Sequence, residues 1–206
     1  MKRLFSCFTI ILLGISTSFA QMKKMENVDS FVKKMEQNAS SVKSIESDFK
    51  QIKHIGAFKQ NIVSLGKFYY KASKISLHYM VPQPYRVVIN DNKIKIESVG
   101  KKNVMNLKDN RQMQEMFNML TGFMTGNLSN MSKDYRMEYY EDEQHYLVSV
   151  KPVNEGANKY MLDVYLNKKE MSVNKMRISE TESDYTEYHF SNQKLNTLNN
   201  DTLFKI

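Results

Sequence analysis

The sequence predicts a mainly β domain of α+β class, in which an antiparallel sheet is covered by helices. Beyond Ser44, most of the chain alternates apolar and polar residues with period two, which is typical of half-buried strands. Short polar turns separate these runs, so neighbouring strands are expected to form hairpins rather than helical crossovers. Two other segments repeat apolar residues every three or four positions, as amphipathic helices do.

The first helical segment lies directly before the strands. Its apolar residues follow helical spacing, with Lys, Glu, Asn and Gln between them: Met25, Val28, Phe31, Val32, Met35, Ala39 and Val42. This spacing predicts a helix of about four or five turns that has one apolar face.

About eleven strands are predicted from the alternating runs. They cover residues 46–55, 62–71, 75–81, 85–89, 93–99 and, weakly, 104–107, and then 135–141, 145–151, 160–167, 172–181 and 185–191. The turn Asn90-Asp91-Asn92 has residues that tolerate positive φ, as a tight hairpin requires.

A second helical segment interrupts the strands. Its helically spaced apolar residues are Met113, Met116, Phe117, Leu120, Phe123 and Met124. The helix is expected to begin near Asp109 and to end at Gly122 or Gly126. Methionine adapts to irregular apolar shapes, so this segment is either an ordinary core helix or a movable cover for the sheet.

The first twenty residues have the order of a secretory signal peptide. Lys2 and Arg3 precede an uncharged, apolar stretch, and Ser18-Phe19-Ala20 places small residues before a cut after Ala20. The alternative is a membrane anchor, but the stretch is at or below the ~20 residues that a span needs. We expect a single domain over residues 21–206 that has no cysteine, because Cys7 lies in the signal.

The composition argues against nucleic-acid binding and against catalysis. The net charge is +8, but lysines and arginines are scattered among acids rather than gathered in a basic stretch. The four histidines have no His or Cys at metal-ligand spacing, and the sequence lacks HExxH, CxxC, GxSxG, P-loop and GxGxxG motifs. We therefore expect no catalytic residue, no metal and no cofactor.

At this point the sequence resembles the outer-membrane lipoprotein carrier (LolA) family over most of the chain after the signal. The similar segments keep the family's order and spacing: Ser44-Ile45-Glu46-Ser47-Asp48-Phe49-Lys50-Gln51, Gly66-Lys67-Phe68-Tyr69-Tyr70-Lys71, Leu77-His78-Tyr79-Met80-Val81-Pro82, Val87-Val88-Ile89-Asn90-Asp91-Asn92-Lys93, Leu120-Thr121-Gly122 and Asn200-Asp201-Thr202-Leu203-Phe204. The resemblance implies a half-open barrel of about eleven antiparallel strands with helices as a lid.

The resemblance also implies a function. It suggests a monomeric periplasmic carrier without enzymatic activity, which accepts acylated lipoproteins or other lipids from an inner-membrane transporter and delivers them to an outer-membrane acceptor. On this basis the apolar cavity is expected to be lined by Phe68, Tyr70, Leu77, Tyr79, Val87 and Ile89, and the lid face by Met113, Met116, Phe117, Leu120, Phe123 and Met124. The alternatives are a sensing protein of the same fold that does not shuttle cargo, and an enzyme acting on envelope lipids.

One departure from the family's pattern concerns the lid. Well-studied members have an Arg-Pro pair after the Gly-x-Leu strand, and that arginine bonds to the lid. The aligned positions here are Ala72 and Ser73, which cannot make the bond. Lys71, Lys74 and Arg86 are the nearest candidates to replace it, so the closure of the lid is expected to depend mainly on apolar contacts.

Overall fold

The computed structural model describes residues 22–109, 111–125, 135–153 and 160–206. The predicted signal peptide over residues 1–20, with Cys7, lies outside these residues, and its cleavage remains a prediction. None of the helices in the described ranges combines the length and the apolar character that a membrane-spanning helix needs.

The described residues form one sheet of twelve antiparallel strands. The strands are β1 Lys23–Lys24, β2 Ser44–His54, β3 Ile62–Lys71, β4 Lys74–Val81, β5 Tyr85–Asn90, β6 Lys93–Ser98, β7 Lys101–Asn106, β8 Tyr135–Glu141, β9 His145–Pro152, β10 Met161–Asn167, β11 Val173–Ser179 and β12 Tyr185–Leu195. The predicted strands are confirmed. The additional strand, β1, has only two residues, too few for a periodic pattern to show.

The order of strands leaves the sheet open. It runs β1-β8-β9-β10-β11-β12-β2-β3-β4-β5-β6-β7, so β1 and β7 form the two edges of the described sheet. In the middle of the sheet, the last strand, β12, pairs with the first long strand, β2. The predicted half-open, mainly β architecture is therefore confirmed as an open, curved antiparallel sheet covered by two helices.

Two tight hairpins require residues with positive φ at their turns. Asp91 and Asn92 have φ of 49° and 58°, which confirms the turn predicted between β5 and β6. Ala72 and Ser73 have φ of 48° and 62° and make the corresponding turn between β3 and β4. Asp and Asn enter this left-handed region more readily than Ala, so only the first turn was visible in the sequence.

The helices are α1, Val28–Ser41, and α2, Arg111–Thr125. The Asn27 side chain caps α1, because its Oδ1 accepts a hydrogen bond from Ser30 N at 3.0 Å. A short 3₁₀ helix, Leu107–Asp109, leads into α2. Gly122 lies inside α2 rather than at its end, and Gly126, the other predicted stop, lies outside the described residues.

Both helices lie on one face of the sheet, which we call the inner face. The inner-face residues of β8–β12 form one apolar cluster with the buried Phe31 and Met35 of α1. The inner-face residues of β2–β7 form a second cluster. Leu120 of α2 and Phe190 of β12 pack against both clusters. One continuous apolar layer therefore separates the helices from the sheet.

The opposite, outer face is partly covered by the C-terminal segment. Asp201–Phe204 forms a short 3₁₀ helix that places the buried Phe204 beside Val88 of β5. Asn90 Nδ2 donates a hydrogen bond to the Phe204 carbonyl oxygen at 3.0 Å, and Lys71 Nζ lies 2.8 Å from Asp201 Oδ1. These contacts explain why Val88 is fully buried although it points away from the helices.

Candidate functional site

The six residues predicted to line a cavity lie together on the inner face. Phe68, Tyr70, Tyr79 and Ile89 are buried members of the β2–β7 cluster, and Leu77 and Val87 pack against it half-buried. They come from β3, β4 and β5, and the pairing of these strands places Phe68 beside Leu77 and Leu77 beside Val87. The structure thus brings all six to one apolar surface; their role in binding remains a prediction.

An aromatic belt crosses this surface and was only partly predicted. The rings of Tyr79 and Tyr85 stack at 4.1 Å between centroids, and the Phe49 ring meets Tyr79 edge-on at 5.0 Å. Phe68 meets Phe190 of β12 at 5.3 Å. The belt runs over β12, β2, β3, β4 and β5, which are adjacent in the sheet. Aromatic rings supply broad apolar contact area without a fixed hydrogen-bonding requirement on a ligand.

Gly66 makes room for the belt. A Cβ added to Gly66 would lie 2.6 Å from two atoms of the Phe49 ring and 2.3 Å from the His78 carbonyl oxygen. The Phe49 ring therefore lies across the backbone of β3 at the position where no side chain stands. The strand irregularity between Leu65 and Gly66 occurs at the same place.

Helix α2 covers the belt and the clusters on either side of it. Phe117 packs against the β2–β7 cluster, Leu120 contacts both clusters, and Phe123 is buried in the β8–β12 cluster. Met119, which the sequence analysis did not select, is also buried there. The side chains of the other predicted lid residues, Met113, Met116 and Met124, lie outside the described residues. The described lid residues thus face the sheet, as a cover must.

A small cavity of about 50 Å³ lies between α1, the end of α2 and the sheet. Its lining includes Met35 and Ala39 of α1, Phe123 of α2, Phe68 of β3 and Phe190 of β12. For comparison, an engineered apolar cavity of about 150 Å³ binds one benzene ring. In this closed arrangement the space is therefore too small for an acyl chain, and a ligand of that kind requires the helices to move.

The α1 residues of this lining could have been found from the sequence. Met35, Ala39 and Val42 belong to the predicted apolar face of the first helix, and they line the cavity. Ile45 and Phe190 also line it, and both follow the period-two pattern of their strands. Sequence periodicity identifies the face that an element buries but does not distinguish a cavity wall from a filled core.

The positions aligned with the family's arginine latch form a tight turn of the sheet. Ala72 and Ser73 are exposed at the tip of the β3–β4 hairpin, on the end of the sheet near Asp201. Proline fixes φ near −65°, so it could not replace Ser73, whose φ is 62°. The Arg-Pro pair of the family therefore has no direct counterpart in this turn. The described contacts of α2 with the two clusters are apolar.

Burial changes the acidity of the tyrosines in the belt. Desolvation, followed by the neighbouring Tyr188 hydroxyl, raises the pKa of Tyr79 well above its ordinary range. Desolvation also raises the pKa of Tyr85 and Tyr188. These phenols stay neutral at physiological pH. In the described ranges there is also no group of three or more His, Asp or Glu side chains suited to a metal ion.

Comparison with solved structures found matches at low sequence identity, and those with a TM-score of 0.50 or more show the same fold. A Pseudomonas aeruginosa MucA/MucB complex matches with a TM-score of 0.53 and 8% identity, over 88% of this chain and 61% of that chain. An uncharacterized conserved protein from Thermus thermophilus matches with a TM-score of 0.50 and 9% identity, over 88% and 94% of the two chains. A LolA superfamily protein from Nitrosomonas europaea gives a TM-score of 0.43 and 8% identity, over 85% and 97%.

The family comparison agrees with the resemblance noted in the sequence. No protein with a curated description matches this chain. The sequence model of the family described as "Outer membrane lipoprotein carrier protein LolA" matches residues 40–206, from the end of α1 to the last residue. This range includes every described strand of the inner face except β1, together with α2 and the C-terminal segment. The chain therefore belongs to the LolA family.

Proposed function

We propose that this protein is an exported, monomeric carrier that holds the acyl chains of lipoproteins against its inner face and delivers them toward the outer membrane. The signal-peptide pattern supports export to the periplasm, with residues 21–206 acting as one carrier domain. The family description supports a carrier role and no enzymatic one. In this proposal an inner-membrane transporter donates the cargo and an outer-membrane acceptor receives it.

One observation carries the proposal: helix α2 packs against both apolar clusters of the inner face. Leu120 packs against both apolar clusters, while Phe117 and Phe123 each enter one of them. Displacing α2 would open both clusters at once and expose the aromatic belt. A cavity of about 50 Å³ would then become a groove along the sheet.

The energetics of acyl chains favour such an adaptable cover. Each buried CH₂ contributes about 0.8 kcal/mol to membrane or protein binding. A rigid, preformed acyl cavity would therefore hold a multi-acyl cargo too tightly to release it. The free energy needed to displace α2 opposes binding, and it lowers the affinity to a range in which the cargo can be passed on.

A transfer assay tests the proposal. A fluorescent diacylated lipopeptide is loaded into donor vesicles, and its appearance in acceptor vesicles is followed with and without the protein. We expect saturable binding of the lipopeptide and faster transfer between vesicles. Absence of binding, while circular dichroism shows folded β structure, would refute the carrier proposal.

The second candidate is a binding protein of the same fold that does not shuttle cargo. One observation favours it: a solved structure of this fold is a complex of two proteins, MucA and MucB. In the same assay, this candidate predicts saturable lipopeptide binding without faster transfer. The two functions are thus separated by one experiment.

A further inference from the structure

Exposed apolar side chains gather at one end of the sheet, and we call them the apolar rim: Phe58, Ile62, Met80, Val81 and Val99. Their exposed fractions are 58%, 48%, 52%, 48% and 88%, respectively. Single exposed apolar residues are common on protein surfaces, but a group of them indicates a surface that contacts something apolar.

The topology of the sheet places the rim on one side of the molecule. The β2–β3, β4–β5 and β6–β7 connections all leave the same end, because successive strands are antiparallel. The tight turns at 72–73 and 91–92 lie at the opposite end. The rim residues therefore lie at one end of the sheet, with Phe58 and Val99 in the loops and Ile62, Met80 and Val81 at the strand ends that adjoin them.

Basic side chains are in excess beside the rim. Residues 55–62, 80–84 and 98–102 contain Lys59, Lys101 and Lys102 and no acidic residue, and all three lysines are exposed. Acids at this end include Glu97, which stands opposite Lys102 and pairs with Arg86, and Asp184 of the β11–β12 turn, whose Oδ1 accepts a hydrogen bond from Gly56 N at 2.9 Å. Because Arg86 pairs with Glu97, the β4–β7 side of the rim keeps an excess of positive charge.

We infer that the rim docks on a lipid bilayer that contains anionic lipids, with its apolar tips in the headgroup layer and its lysines against lipid phosphates. Exposed apolar side chains beside lysines suit the headgroup layer of a bilayer, because apolar and basic groups both find partners there. Lysine provides the attraction to an anionic surface, and apolar side chains provide the insertion.

The rim adjoins the proposed cargo surface. Tyr79 and Tyr85 form the last β4–β5 pair before the connecting loop, and Met80 and Val81 directly follow Tyr79 at the end of β4. A docked bilayer would therefore lie next to the aromatic belt. Acyl chains could pass between the bilayer and the inner face without crossing a wide layer of water. The docking itself does not depend on the protein being a carrier.

Flotation with vesicles tests the inference. The purified protein, whose N-terminus is first defined by intact mass, is mixed with phosphatidylcholine vesicles that contain or lack one part in four of phosphatidylglycerol. We expect binding to the anionic vesicles that weakens with added salt. Because each basic residue near an anionic surface contributes about a fivefold gain in affinity, Lys101→Gln with Lys102→Gln should weaken binding about 10- to 30-fold.

Two matched controls separate the rim from general effects. Lys93→Gln with Lys108→Gln removes the same charge from exposed positions near the opposite end of the sheet, and we expect binding within about twofold of the unaltered protein. Val99→Ser should weaken binding about tenfold, whereas Val104→Ser, in the middle of strand β7, should leave it unchanged.

The inference is overturned if the protein does not bind anionic vesicles. It is equally overturned if the rim variants and the control variants lose the same amount of affinity for these vesicles. It is also overturned if the rim variants affect only binding to a protein acceptor. Binding of a fluorescent fatty acid in the absence of vesicles is measured on the same variants. The rim variants should retain it, so a failure of docking and a failure of the carrier proposal remain distinguishable.

Discussion

At the scale of the residue, Gly66 determines how the aromatic rings of the candidate site pack, because it leaves room for the Phe49 ring. The Phe49 ring occupies the space above its Cα, and the His78 carbonyl oxygen approaches from the neighbouring strand. The ring also contacts Tyr79 edge-on, so the position of the whole aromatic belt depends on the absence of a side chain at Gly66.

We predict that Gly66→Ala destabilises the protein. The added methyl must displace the Phe49 ring and part of strand β4, since the backbone contact at 2.3 Å cannot be relieved by a rotamer change. Such overpacking typically costs about 1–3 kcal/mol of unfolding free energy. Urea unfolding measures it, with Ser64→Ala, a small buried side chain on the same strand, as the control. Equal stability of Gly66→Ala and the unaltered protein would contradict the proposed packing.

Ala72 carries a second prediction at this scale. Its φ of 48° is unfavourable for alanine, and asparagine enters this region more readily. We expect Ala72→Asn to raise the unfolding free energy by about 0.5–1 kcal/mol, because it suits the β3–β4 hairpin turn. Ala72→Arg should not tighten the closure of α2, since the position is an exposed hairpin tip.

Hydrogen exchange and urea unfolding check both substitutions at Ala72. Slower exchange in α2 of Ala72→Arg would show that an arginine at this position reaches the helix after all. If Ala72→Asn does not raise the unfolding free energy, the positive φ of Ala72 does not limit the stability of the β3–β4 hairpin.

At the scale of the element, helix α2 is the part expected to move. It packs against the sheet through apolar side chains, and the first of these that is described is Phe117, which is half-buried against the β2–β7 cluster. The next residue, Asn118, is exposed. Because Phe117 and Asn118 are adjacent in the helix but differ in exposure, the same substitution at each gives a matched pair of variants.

We predict that Phe117→Asp opens the cover, whereas Asn118→Asp does not. A carboxylate at Phe117 would be pressed against apolar residues, and the helix would have to lift to solvate it. Hydrogen exchange over residues 111–125 should become at least tenfold faster in Phe117→Asp only. Retention of a fluorescent fatty acid should fall in parallel. If both variants exchange like the unaltered protein, α2 is a fixed part of the core.

The elements also show what the sequence could predict. Period two identified the inner-face residues of β3, β4 and β5 because pairing stays regular from Phe68 to Ile89. It did not reveal that the C-terminal segment buries Val88 on the other face, since that contact joins residues far apart in the chain. Nor could it show that the space under α2 is nearly filled. That depends on the packing of side chains from several elements rather than on any one pattern.

At the scale of the whole molecule, carboxylates tie distant segments together. Asp201 lies 2.8 Å from Lys71 and joins the C-terminal segment to β3, and Asp184 joins the β11–β12 turn to Gly56. The Lys71 ammonium lowers the pKa of Asp201, and the Gly56 amide lowers the pKa of Asp184. Acid should therefore loosen contacts across the sheet rather than at one position.

The last prediction concerns the dependence of stability on pH. Hydrogen bonds from Lys151 and then from the Tyr140 hydroxyl lower the pKa of Glu138, so its pKa is lower in the folded than in the unfolded protein. The stabilisation is thus fully present above the unfolded pKa, about 4.3 for Glu and 3.9 for Asp, and it is lost as the pH falls through the folded values. These carboxylates should leave the unfolding free energy unchanged between about pH 7 and pH 6 and lower it progressively below about pH 4. Urea unfolding at several pH values measures this, and Glu138→Gln should lose less stability on acidification than the unaltered protein. A stability that is constant or rises down to about pH 3 would show that these carboxylates do not hold the sheet together.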